Sequence, residues 1–141
     1  MPVLLFAAFL AGAGPALDAQ ALQGAWQVVA VEGQGKKYTD KDPEFAAFKE
    51  LRLTFKGDKA FGPAGEEFAN PFILKAAGKT KVIEVTAGET NGQELIHRAL
   101  YEINGDTLRL CTALRGSRAE PPKAFAATDE TVIFTFRRVK P

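Results

Sequence analysis

Tyr101-Glu102-Ile103-Asn104-Gly105-Asp106-Thr107-Leu108-Arg109-Leu110-Cys111 is the stretch that decides the fold. Its centre, Asn104-Gly105, suits a two-residue hairpin turn, because both central residues of such a turn take positive φ and Asn and Gly do so at little cost. Apolar and polar residues alternate on both sides of it, the pattern of two half-buried strands. A turn centred there pairs Tyr101 with Leu108 and Ala99 with Leu110, and it sets His97 opposite Thr112 and Cys111 opposite Arg98. In that register His97 and Cys111 point to opposite faces, so they form no nucleophile-base pair.

The same period of two continues outward along the chain. Leu51, Leu53 and Phe55 alternate with Arg52, Thr54 and Lys56, which places one face in a core and the other in water. Strands are predicted near 24–32, 51–56, 59–62, 68–75, 81–87, 94–103, 106–113 and 131–138. A meander of this length in a small domain must hide two sheet edges, and closure removes both. The predicted fold is therefore all-β, an eight-stranded antiparallel up-and-down barrel. Two stretches break the pattern. Between the first two strands, Asp42 as N-cap, Pro43 at the first helical position, and Phe45 with Phe48 three residues apart predict one short helix over a barrel mouth, with the two phenylalanines as a lid. The second stretch, 113–129, carries Arg115, Gly116, Pro121 and Pro122 and is predicted to be a long connection before the last strand.

Composition bounds what such a barrel does. With 141 residues, 46% of them apolar and 25% charged, the chain is one folded domain rather than a disordered one. Eighteen basic residues against seventeen acidic ones give a net charge of +1, too little for sequence-independent binding to phosphate polymers, so no nucleic-acid partner is expected. Met1 to Gly14 form an uncharged apolar run too short to span a bilayer, and both Gly14-Pro15-Ala16 and Ala19-Gln20-Ala21 suit signal peptidase. Residues 1–21 are accordingly expected to be a signal peptide that is removed, leaving 22–141 as the barrel domain in the periplasm or outside the cell. Lys36-Lys37 and Lys79-Thr80-Lys81, in presumptive loops, are too few charges to hold the protein on a membrane, and no stable insertion is expected. A single cysteine excludes an internal disulfide, so the barrel must close its own edges, and a monomer is expected. One His and one Cys lack the spacing of a metal site, and no phosphate loop or catalytic pair is visible; neither cofactor nor enzymatic activity is expected.

Leu22-Gln23-Gly24-Ala25-Trp26 opens the first strand and Arg137-Arg138 closes the last, an arrangement that resembles lipocalin and calycin-type barrels. Read with Leu51 to Lys59, Tyr101 to Cys111 and Pro122 to Phe125, the chain more closely resembles a family of small secreted bacterial lipocalin-like domains of unknown function, over residues 22–139. The resemblance implies a fold and a compartment, with no catalytic residues to carry over. It also implies a sealed barrel base formed by Gly24, Trp26 and an arginine. Alternation puts Val132, Phe134, Phe136 and Arg138 on one face, so Arg138 rather than Arg137 is expected to stack on Trp26.

The candidate interior comprises Trp26, Phe55, Phe72, His97, Tyr101, Phe134 and Phe136. His97 is either a polar group that orients a ligand or a satisfied histidine at the open end of its strand; Cys111 reads as an inert half-buried thiol. Eleven phenylalanines serve two outcomes equally, since they either line a calyx or fill it. Two functions follow. A lined calyx binds one small apolar ligand; a filled barrel is an interaction module, contacting an envelope protein partner or acting in the manner of a protease inhibitor. An interior void of a few hundred cubic ångströms separates them.

Overall fold

The structure, a computed structural model, describes residues 14–113 and 120–140. It begins with a helix, α1 (Gly14–Leu22), and continues through nine strands: β1 (Gly24–Gly33), β2 (Lys36–Thr39), β3 (Arg52–Lys56), β4 (Lys59–Phe61), β5 (Asn70–Ala77), β6 (Thr80–Thr90), β7 (Gln93–Asn104), β8 (Thr107–Ala113) and β9 (Thr131–Arg138). All neighbours are antiparallel, in the order β2-β1-β3-β4-β5-β6-β7-β8-β9, and β1 also pairs with β9 to close the sheet. β1 lies against β9 from Trp26 to Gly33, while its other edge takes β3 at Gly24–Gln27 and β2 at Ala30–Gly33. β2 and β3 are thus two halves of one interrupted barrel strand, and the closed ring is the expected eight-stranded barrel.

The interruption falls where the sequence predicts a helix. Pro43–Ala47 form a 3-10 turn rather than an α-helix: five residues are too few to repay α-helix nucleation. Asp42 does not cap it; its carboxylate instead accepts the Thr39 N–H at 2.8 Å and closes the preceding turn.

β2 is absent from the sequence reading, which placed Lys36-Lys37 in a loop. The strand owes its place to pairing with β1 across a turn in which Gln34 and Gly35 both have positive φ, 52° and 76°. Gln is a poor residue for that conformation, so the hairpin is invisible to turn chemistry. Of Lys79-Thr80-Lys81, only Lys79 lies in the turn; Thr80 opens β6, and Lys81 is in the strand expected near 81–87.

The deciding hairpin forms with a different register. Asn104 pairs with Thr107, Tyr101 with Leu110 and Leu100 with Cys111, so the turn residues are Gly105-Asp106. The displacement from the expected pairing is two residues, which leaves every side chain on its expected face. The Asn-Gly turn with positive φ at both positions is instead Asn91-Gly92, at 55° and 78°, joining β6 to β7.

A bulge between Val28 and Ala30 adjusts β1 to its partner: Val28 pairs with Phe136 and Val31 with Phe134, so both valines reach the interior. Inside, Trp26, Phe136, Leu22 and Leu108 are almost fully buried. A smaller cluster lies on the outer wall, where Leu100, Cys111 and Ile133 are covered by Phe125 from the connection before β9. Arg115 and Gly116 of that connection, and residues 1–13 of the expected leader, lie outside the described residues.

Candidate functional site

Strand direction gives the barrel two unlike ends. At the base lie α1, the start of β1, the end of β9 and the turns after β3, β5 and β7. At the other end lie the β1–β2 and β6–β7 turns and a 3-10 turn, Glu66–Phe68, while the Pro43–Ala47 turn interrupts the wall between β2 and β3.

The base is packed solid. The Arg138 guanidinium lies 4.2 Å over the Trp26 ring, donates from Nη1 to the Gln23 carbonyl at 2.8 Å and from Nη2 to the Ala21 carbonyl at 2.6 Å, and meets Asp106 through Nε at 3.1 Å. Trp26 Nε1 donates to the Leu22 carbonyl at 2.8 Å, which satisfies the one polar atom of the buried indole. Gly24 has φ +111°, a conformation other residues rarely adopt, and a Cβ there would meet Arg138 Nη1 at 3.6 Å. Gly24, Trp26 and Arg138 therefore come together at the base.

Tyr101 belongs to this end too. Its ring is buried and points from β7 toward α1, where its hydroxyl donates to Asp18 at 2.9 Å. Burial, helped by the neighbouring Asp18 carboxylate, pushes the phenol well above the ordinary tyrosine value. Trp26 and Tyr101 thus floor the barrel and do not line its open part.

Above them the interior is hollow. A cavity of about 390 Å³ is walled by Leu51, Leu53, Phe55, Ile83, Val85, Ala99, Leu110, Phe134 and Phe136, and Gly62, Asn70, His97 and Thr112 stand toward its outer end. Its lining is overwhelmingly apolar. The wall is thinnest beside it, since β4 has three residues and pairs with β5 only at Lys59–Pro71 and Ala60–Asn70. Phe72 does not border the cavity; it is buried in the interior core, edge-on to Phe55 with centroids 5.1 Å apart.

Phe45 and Phe48 behave differently from each other. Phe45 is buried in the core, whereas half-buried Phe48 meets the Phe134 ring edge-on at 6.4 Å. His97 is exposed at the rim, on the cavity face; Cys111 faces outward from β8, fully buried, with its sulfur 3.7 Å and 3.6 Å from the Ala124 and Ala126 carbonyl oxygens. Burial pushes the Cys111 thiol up.

Sequence reasoning named the aromatic part of this wall and missed its aliphatic part. Leu51, Leu53, Val85, Ala99 and Leu110 carry the period-two signal, but alternation alone does not tell an inward residue bordering space from one pressed against a neighbour. Asp18 and Leu22 were missed or undervalued because they stand at the edge of an expected leader.

No known protein-family profile matches the chain, and no curated protein matches it. Among solved structures, the chain is similar to a DUF4909 family protein from Staphylococcus aureus. That likeness has a TM-score of 0.41 at 7% sequence identity, over 84% of this chain and 97% of the other. Likeness at this level carries no argument about function.

Proposed function

We propose that the protein is an exported, non-catalytic lipocalin-like module that holds one small apolar ligand in the upper half of its barrel. The observation that carries this reading is the apolar cavity of about 390 Å³ above a sealed base, within the range of small-molecule sites. Its walls offer shape and apolar contact, with His97, Asn70 and Thr112 at the outer end to meet one polar group of the occupant. Placement supports the non-catalytic part of the reading: His97 and Cys111 lie on opposite faces of the wall, and burial pushes the thiol up. Export rests on the apolar N-terminal run. Among the described residues no helix is long and apolar enough to cross a membrane.

Native mass spectrometry of protein purified from its own host tests the reading. The expected result is a single non-covalent adduct of a few hundred daltons; a spectrum of bare protein under conditions that preserve apolar complexes contradicts it. A second reading, an envelope protein-interaction module, is favoured by one observation: Phe68 on the Glu66–Phe68 turn is 61% exposed, a large apolar side chain turned to solvent beside the mouth.

A further inference from the structure

α1 and Gln23, which joins it to β1, are fastened to the barrel by their own side chains and carbonyls. Asp18 accepts the Tyr101 hydroxyl proton at 2.9 Å and faces the Lys81 ammonium at 3.0 Å, with its side chain 16% exposed. Ala21 and Leu22 supply the carbonyls that receive Arg138 and Trp26. Gln23 clasps the β3–β4 turn from both directions: its Oε1 accepts the Gly57 N–H at 2.7 Å and its Nε2 donates to the Gly57 carbonyl at 2.9 Å. Leu22 itself has no exposed surface.

Two small-x-small sequences bracket Asp18, and the structure discriminates between them. Cleavage after Ala21 would turn the nitrogen of fully buried Leu22 into an ammonium beside the Arg138 guanidinium. It would also remove the carboxylate that receives the buried Tyr101 hydroxyl and the Ala21 carbonyl that receives Arg138. An unpaired buried charge and an orphaned hydroxyl are among the costliest changes a small core meets. Cleavage after Ala16 incurs neither. Pro15 and Ala16 are exposed, and the new ammonium would lie one residue from Asp18.

We propose that the leader is removed at the Ala16–Leu17 bond, so that Leu17 to Leu22 remain as a built-in plug of the mature barrel. This rests on the export reading above. The step is a hydrolysis by a signal peptidase: the C–N bond breaks, water supplies oxygen to the Ala16 carbonyl carbon and hydrogen to the Leu17 nitrogen, and the products are a carboxylate-ended leader and a mature chain with an amino terminus at Leu17.

The test is intact-mass analysis and N-terminal sequencing of the protein expressed from its full chain in a bacterial host, with cytoplasm and exported fractions kept apart. A mature start at Leu17 is expected; any other mature start overturns the proposal, a start at Leu22 most completely. Unprocessed chain confined to the cytoplasm overturns the export reading instead. Ala16→Gln, at an exposed position, is expected to stop processing, whereas Ala21→Gln leaves it in place; the reverse pattern contradicts the assignment. Finally, a chain made to begin at Leu22 is expected to melt about 10 °C or more below one beginning at Leu17, or not to fold at all. Equal melting would show that the plug is dispensable and remove the reason for the site.

Discussion

The Arg138 guanidinium lies 4.2 Å from the Trp26 ring while its Nη2 donates to the Ala21 carbonyl, so one residue from the last strand closes both the indole and the chain that enters the first strand. This is a sealed joint between the two ends of the sheet, where β1 meets β9 at Trp26–Arg138. The planar fork stacks and hydrogen-bonds at once, a combination an ammonium does not provide.

Removing the indole should show the weight of that joint. Trp26→Ala is expected to destabilise the protein by about 3–5 kcal/mol in urea or thermal unfolding, as truncation of a fully buried aromatic does. A loss below about 1 kcal/mol would mean that the base is not packed as described.

On the outer wall, Glu84 of β6 lies between Arg98 at 2.8 Å and Lys75 at 3.2 Å. The Arg98 hydrogen bond holds its carboxyl below the ordinary value of 4.5, against burial, which pulls it up, and with help from Lys75. Since the folded-state value lies below the unfolded one, the ionised carboxylate stabilises the fold above the unfolded value, and that contribution is lost as pH falls through the folded value. Glu84→Gln should therefore melt below the wild type at about pH 7, with the gap narrowing toward about pH 3. An equal gap at both ends of the titration contradicts the assignment.

Cys111 is covered by the connection carrying Phe125, whose ring lies 4.9 Å beneath the Arg109 guanidinium. In the folded protein its reaction with an aromatic disulfide reagent should be at least about tenfold slower than after denaturation, and Phe125→Ala should accelerate it. Equal rates in folded and unfolded protein would place the thiol at the surface.

The parts of this fold that were legible in the sequence are those where a side chain's chemistry and its place agree. Leu51, Leu53 and Phe55 alternate because one face of β3 is dry, and Arg138 follows Phe136 and Phe134 by twos to the base. The missed parts depend on the partner rather than on the segment. Lys36–Thr39 are a strand only because β1 offers them an edge; the bulge that turns Val31 inward is set by its fit to β9; and the Asn104-Gly105 signal was followed by a turn one residue further on, centred on Gly105-Asp106. The candidate site divides in the same way. Its aromatic residues were legible by type, but whether they fill the barrel or border space depends on how far each ring reaches. Trp26 and Tyr101 fill the base, while Phe55, Phe134 and Phe136 leave a hollow above it.

That hollow is the centre of the account, and one titration addresses it: binding of the neutral fluorophore N-phenyl-1-naphthylamine to wild type and to Ala99→Trp, whose indole would occupy the cavity. The account predicts saturable one-to-one binding by the wild type with a Kd of about 10 μM or tighter, abolished in a variant that still folds. Absence of saturable binding by the wild type, or undiminished binding by Ala99→Trp, would contradict it.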